Sequence, residues 1–536
     1  MMNGEQPYQQ PSVMTTQEHF SKAPSVDIPR SRFDRSCGVK TSFDAGDLIP
    51  VFLDEVVPGD TFDLKTTAFC RLATPLKPIM DNLYLDIHYF FVPNRLLWDN
   101  WQRFMGERDD PADDPSVYSV PTIDIPIDST ASSLDRAKYF GLPYVAAADS
   151  STLTVNALPF RAYDLIYNEW YRDQNLIDSV QIVKANSGDD VPDLMTIHKR
   201  GKRHDYFTSC LPWPQKGDAV VMPLGSIADV VATGTFQLEG ATTGAGDLEA
   251  DAATNPTSVQ IRSSGSNWQN NELLQYSSGL EVDLSTATAA TVNQLREAIS
   301  LQRFLEADAR GGTRYIELIL QHFKVRSSDS RLQRPEFLGG GTSHVTINPV
   351  AATATDASVP QGNLAAVGVT LNDRAGFTRA FEEHGWILGI ASVRADLTYQ
   401  RGVERFWSYS SRYDFYWPEF AHLGEQAVLN KEIYFQGTTA DDDVFGFQER
   451  YAHMRYKPSR ITGVLNSDFA TAVDQWHLSQ DFASLPVLNQ SFIEENPPVD
   501  RCIAVPSEPH FIADFWFKLV CDRPLPTWSI PGLGVL

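Results

Sequence analysis

Apolar and polar residues alternate most cleanly at residues 83–91. Leu83, Leu85, Ile87, Tyr89 and Phe91 fall on one side, and Tyr84, Asp86, His88 and Phe90 on the other. A period of two predicts a strand with one buried face. Residues 513–521 repeat the pattern, with Phe515, Phe517, Leu519 and Cys521 opposite Asp514, Trp516 and Lys518. Two further strands are expected in residues 47–73, broken at the turn signal Pro58-Gly59, and another in the apolar run 385–399. Helical spacing appears in fewer places. Pro93 stops the first strand, and Asn94 is positioned to cap a helix carrying Leu97, Trp98 and Trp101. Phe160, Tyr163, Tyr167, Trp170 and Tyr171 predict an amphipathic helix with an aromatic face over 160–175. Leu295, Ile299 and Leu305 form a stripe that Gly311-Gly312 interrupts before Tyr315, Ile316, Ile319, Leu320 and Phe323 resume it. Strands at both ends with helices and long insertions between them indicate a β-dominated fold built from non-local pairings.

The unpatterned stretches divide the chain. Residues 1–29 are polar and aperiodic and read as a flexible N-terminal arm. Residues 30–225 hold the first part of the β fold with helical insertions, including a surface excursion at 109–158. Residues 226–291 are rich in Ala, Thr, Ser and Gly, carry many carboxylates, and have Arg262 as their one basic residue. They read as a surface-exposed insertion. Residues 292–536 hold the rest of the β fold, with 339–372, almost free of charge, expected as a long surface loop.

Composition narrows the class. The chain has 536 residues, 42% of them hydrophobic and 11% aromatic, enough for a large interior. The 33 glycines and 33 prolines suit short strands and long connections better than a helical bundle. No apolar run is long enough for a transmembrane helix, and the N-terminus lacks a signal-peptide pattern. Five scattered cysteines without CxxC spacing are expected as reduced, mostly buried thiols of a cytoplasmic protein. The net charge of −24 argues against coating nucleic acid by bulk attraction.

Catalytic and metal motifs are absent. Glu382-Glu383-His384 lacks the second helical histidine of a zinc site, Gly339-Gly340-Gly341-Thr342 lacks the lysine of a phosphate loop, and no GxSxG elbow occurs. We expect no enzyme, no cofactor and no metal. Basic clusters remain. Arg30, Arg32, Arg35 and Lys40 precede the first strand. Lys199, Arg200, Lys202 and Arg203 form the densest basic island, followed by Tyr206, Phe207 and Trp213. Cations beside aromatics suit single-stranded nucleic acid, which needs phosphate neutralisation and base stacking. The same island would also suit a neighbouring subunit's carboxylates.

Several long segments carry a family resemblance: SRFDRS, HYFFVPNRLLWDNW, GKRHDYFTSCLPWPQKG, MRYKPSRITGVL and FWFKLVCDRPLPTWSIPGLGVL. Through them the chain resembles the major capsid protein of gokushovirus-type microviruses (Microviridae), bacteriophages with single-stranded DNA. The resemblance implies a mainly β fold, a single jelly-roll β-barrel of the viral capsid type with long inserted loops and several short helices. It implies a structural protein of the virion, assembled in the bacterial cytoplasm as a T=1 icosahedral shell around circular single-stranded DNA. The implied partners are further copies of itself, a small basic DNA-packaging protein, an internal scaffolding protein, a DNA-pilot protein and a host surface receptor, without membrane insertion. The resemblance also implies that residues 226–291 correspond to the family's variable insertion, an outer protrusion, and Glu239, Asp247, Arg262 and Trp268 are the candidate host-attachment residues there. The basic arm and island then become candidates for the interior, genome-facing surface. The competing reading is a β-sandwich surface protein that binds or cleaves glycans, which would require a cleft with paired carboxylates.

Overall fold

The computed structural model describes residues 29–108, 110, 114, 117–126, 136–144, 152–187, 195–220, 229–240, 244–250, 259–262, 274–283, 291–331, 333–353 and 361–528. The expected N-terminal arm therefore lies almost wholly outside the described residues. Strands β1 (Ser31–Asp34), β2 (Cys37–Phe43), β3 (Ile49–Val56), β4 (Thr61–Leu72) and β5 (Leu83–Pro93) come first, then the pair β6 (Thr122–Pro126) and β7 (Thr152–Asn156). Strands β8 (Asp229–Gly240), β9 (Gly244–Ala250), β10 (Val259–Arg262) and β11 (Leu274–Asp283) follow. Then come β12 (Glu336–Ala351), β13 (Leu364–Ala380) and β14 (Gly385–Ala395). The short strands β15 (Thr398–Tyr399), β16 (Glu425–Leu429), β17 (Val444–Glu449) and β18 (Ser459–Arg460) precede the long β19 (Phe511–Arg523).

Two compact units result, Gln215–Arg310 and the remainder. The larger unit is built on an antiparallel sheet in the order β1-β19-β4-β13-β12-β5-β14-β3, with β2 also paired to β19. The sheet rolls over on itself. Phe52 of β3 and Phe517 of β19, from opposite ends of that order, pack with ring centroids 5.0 Å apart. Arg35, just after β1, reaches Asp54 of β3 at 2.6 Å. Between these ends lies one core of alternate residues: Phe62, Leu64 and Ala68 of β4, Leu85, Ile87 and Tyr89 of β5, and Phe515, Phe517 and Leu519 of β19. Each such aromatic or aliphatic side chain removed from water contributes about 1.5–3 kcal/mol. This is the expected jelly-roll, mainly β with short helices.

Strand β12 turns the corner between the two halves of the roll. Its residues 336–345 pair with β5 and its residues 346–351 with β13. The expectation of a long surface loop at 339–372 is thereby corrected: most of that segment is strand. Before that corner, Gly339 and Gly340 let neighbouring backbones approach closely, since a Cβ on either would lie 2.5 Å from the carbonyl oxygen of Gly376 or Ile87 respectively.

Three other expectations change. Strand β5 is buried on both faces, because after the single helical turns α1 (Trp101–Phe104) and α2 (Arg136–Tyr139) the helix α3 (Leu158–Ile166) joins Phe90, Val92, Leu388 and Ile390 in a second core. Helix α3 is for the same reason buried all round rather than amphipathic. Its buried Arg161 donates to the Leu97 and Ala185 carbonyls, and its Asp164 takes a bidentate pair from Arg136 at 2.7 and 2.9 Å. The helix expected after Asn94 is instead a 3-10 turn (Asn94–Leu96) and one short α-turn (Trp101–Phe104), without a side-chain cap. Within the excursion at 109–158, the described residues include β6, β7 and a helical turn (Arg136–Tyr139) around Ile123, Ile125 and Phe160. The helix pair at 292–323 is present as Val292–Gly311 and Tyr315–Phe323, interrupted where the glycines predicted. Four of the five cysteines are buried and Cys37 is exposed.

The smaller unit contains a four-stranded sheet, β10-β9-β8-β11. Glu239 lies on β8, and Asp247 and Arg262 are register partners on β9 and β10. Trp268 lies outside the described residues. Among the described residues no helix is long and apolar enough to cross a membrane.

Candidate nucleic-acid interface

The basic island is pinned as an extended strip between two backbone segments. Arg200 donates its N–H to the Gly46 carbonyl, and Lys202 donates to the Ile493 carbonyl at 2.7 Å. His198 accepts from Leu48, and Arg200 accepts from Glu495. Four cations so fixed must find counter-charge close by, and three find it within the chain. Lys199 Nζ meets Asp47 at 3.1 Å, Arg203 meets Asp396 at 3.1 Å, and Arg200 pairs with the buried Asp86. Lys202 is buried, donates to the Phe492 carbonyl and lies 4.7 Å above the Phe492 ring. Burial pushes its pKa down to about 8.

The aromatics after the island are not available for stacking. Tyr206 and Phe207 are buried in a third core with Tyr399, Phe445 and Phe492. Tyr206 donates its hydroxyl to Glu432 at 2.8 Å. The pairing of island cations with these rings is therefore corrected: the rings serve packing, because the chain turns inward directly after Asp205. Trp213 is half-buried.

The N-terminal basic residues belong to the sheet rather than to an arm, since β1 and β2 both pair with β19. Arg32 is exposed and makes a bidentate pair with Asp522 at 2.8 and 3.0 Å. Arg35 is tied to Asp54, and Lys40 reaches Asp514 at 3.2 Å. Arg30 is exposed, beside Gly59. Arg30, Arg32 and Arg203 thus present guanidinium groups to solvent, with Lys199 partly open.

Other cations, distant in sequence, gather beside the island. Arg394 of β14 joins Arg200 on Asp86, and Arg172 and Arg314 lie near one another after α3 and before the helix Tyr315–Phe323. All four border a cavity of about 630 Å³ that the island also lines. Arg172, Arg314 and Arg394 carried no local signal, since none of them belongs to a dense basic cluster in the sequence. A separate stretch, residues 405–423, exposes Phe406, Trp407, Tyr413, Phe415, Tyr416 and Trp417. No group of three or more metal-ligating side chains occurs among the described residues.

Residues 21–533 match the family described as "Capsid protein (F protein)". The chain is 45% identical to the capsid protein VP1 of Bdellovibrio phage phiMH2K over 96% of this chain and 98% of that one. It is 42% identical to the capsid protein VP1 of Chlamydia phage 1, over 98% of both chains. It is 35% identical to the capsid protein VP1 of Spiroplasma virus 4, over 96% of this chain and 97% of that one.

Proposed function

Since the chain belongs to the phage capsid protein (F protein) family and is a structural component of the virion, we propose that its copies close into a T=1 icosahedral shell around circular single-stranded DNA. The observation that carries this reading is the match over nearly the whole chain to capsid proteins of three phages. The rolled sheet supports it, because a closed core leaves each subunit stable before it meets its neighbours. The aromatic run at 405–423 supports it too: so many large aromatic side chains left open to water within one short stretch suit a surface that another chain covers.

The exposed cations Arg30, Arg32, Lys199 and Arg203 are proposed to face the genome and contact phosphates. Arg35, Arg200, Lys202, Tyr206 and Phe207 hold the fold behind them. Phosphate contacts of this kind position the strand without reading its sequence. An acidic chain leaves most genome charge unneutralised, which suits a small basic packaging protein as partner, alongside internal scaffolding and DNA-pilot proteins. The unit Gln215–Arg310 is proposed as the outer protrusion that meets the bacterial receptor, with Glu239, Asp247, Arg262 and Trp268 on it. Expressed with the phage's other structural proteins, the chain should sediment as DNA-filled megadalton particles that negative-stain microscopy shows as closed shells. Recovery of subunit-sized species alone would overturn the reading.

A further inference from the structure

The cavity beside the island is strongly cationic in a chain of net charge −24. Arg172, Arg200, Lys202, Arg203, Arg314 and Arg394 line it, against two lining carboxylates, Asp173 and Glu317. Behind the wall, Arg200 and Arg394 share the one carboxylate of Asp86. Arg172 forms no salt bridge among the described residues: its Nη1 donates to the Ile177 carbonyl at 2.6 Å. The buried Nε–H groups of Arg172 and Arg314 have no acceptor among the described residues. Burial, and then the neighbouring charge of Arg314, lowers the pKa of Arg172. Burial, and then Arg200, pushes His88 down to about 4. A bound anion would relieve the crowding of like charge among the six cations that line this cavity.

The other wall is aromatic. Phe337, Trp170 and Tyr171 line it, and Phe337 keeps 42% of its surface open while packing edge-on against Phe90. A simple phosphate would leave most of about 630 Å³ empty. A volume in the range of about 300–1,000 Å³ suits a small organic ligand. Cations on one side and an open ring on the other match a phosphate joined to a flat base.

We propose that this cavity receives a nucleotide of single-stranded DNA, its phosphate among Arg172, Arg203 and Arg314 and its base against Phe337. The inference rests on the DNA-enclosing reading above and adds to it a fixed seat for one stretch of the strand. Stacking on Phe337 and charge pairing are both tolerant of sequence, so any base is accepted.

The test is fluorescence anisotropy of a labelled oligodeoxythymidylate titrated with the full-length subunit, together with ultraviolet cross-linking of DNA-filled particles. Phe337→Leu should weaken oligonucleotide binding about tenfold, the loss expected for one stacked base. Arg203→Gln should lower the slope of log affinity against log salt by about one. Cross-links should map to Trp170, Tyr171 or Phe337. Unchanged affinity in Phe337→Leu, or cross-links found only outside the cavity in particles that do hold DNA, overturns the cavity assignment while the shell reading stands. Particles that hold no DNA would overturn the shell reading instead. Displacement of the oligonucleotide by polyglutamate of equal charge, as effectively as by unlabelled oligonucleotide, would make this a seat for acidic peptide and refute the proposal.

Discussion

Asp86 is a single buried carboxylate facing two guanidinium groups. Burial by itself would raise its pKa, but Arg200, with hydrogen bonds from Arg394 and Thr342, outweighs this and holds the carboxyl below its ordinary value. Its stabilising contribution is therefore in force above the unfolded-chain pKa and is lost as pH falls through the lower folded value. Asp86→Ala would strand two cations at once, and should cost about 3–5 kcal/mol in urea denaturation of the isolated subunit. Lys202 behaves in the opposite sense. Its folded pKa of about 8 lies below the ordinary 10.5, so between those values the unfolded chain holds a proton that the folded chain has released. Stability from this group rises with pH across that window. Lys202→Met should remove that rise, measured as the difference between wild type and variant at pH 7 and pH 10. The pairing of Lys199, Arg200 and Arg203 was not legible in the sequence. Their carboxylates stand 152, 114 and 193 residues away, and nothing local to either partner announces the other. The density of the island was legible; its neutralisation from within was not.

At the scale of elements, the sequence is clear where side chains alternate in size and silent where they are all small. Strand β19 shows Phe515, Phe517 and Leu519 on its inner face, and the helix break at Gly311-Gly312 is equally plain. Strands β12 and β13 carry mostly Gly, Ala, Thr and Val, so their pattern resembles a loop although they join the two halves of the roll. The reason is steric. A Cβ at Gly376 would lie 2.2 Å from the Leu64 carbonyl oxygen, and one at Gly341 would meet the Ala375 backbone at 3.0 Å. Gly376→Ala should therefore destabilise the subunit by about 1–3 kcal/mol, the usual cost of overpacking, read as a lower urea midpoint. Phe515→Ala, fully buried in the main core, should cost about 3–5 kcal/mol by the same measurement. Helix α3 misled for the opposite reason: aromatics on one side suggested a surface helix, while Arg161 and Asp164 on the other are buried because partners satisfy them.

At the scale of the whole molecule, the unit Gln215–Arg310 has its own sheet, and all the strands of the rolled sheet lie outside it. Replacing residues 226–291 with a short Gly/Ser linker should leave shell formation intact and reduce adsorption to host cells. Loss of all particles would instead place the segment in the assembly contacts. The strand order of the larger unit carries a further consequence, in the timing of synthesis. Strand β19 lies between β1 and β4, with Ser31 opposite Arg523 and Leu64 opposite Leu519. The ribosome must therefore release Phe511–Arg523 before strands made at the very start of translation gain their neighbour. A nascent chain stalled anywhere earlier keeps an open core and has no finished surface to offer. Within the proposed shell, only chains read through to β19 should therefore assemble, so fragments left by interrupted translation are expected to stay out of the particles without a dedicated inspection step.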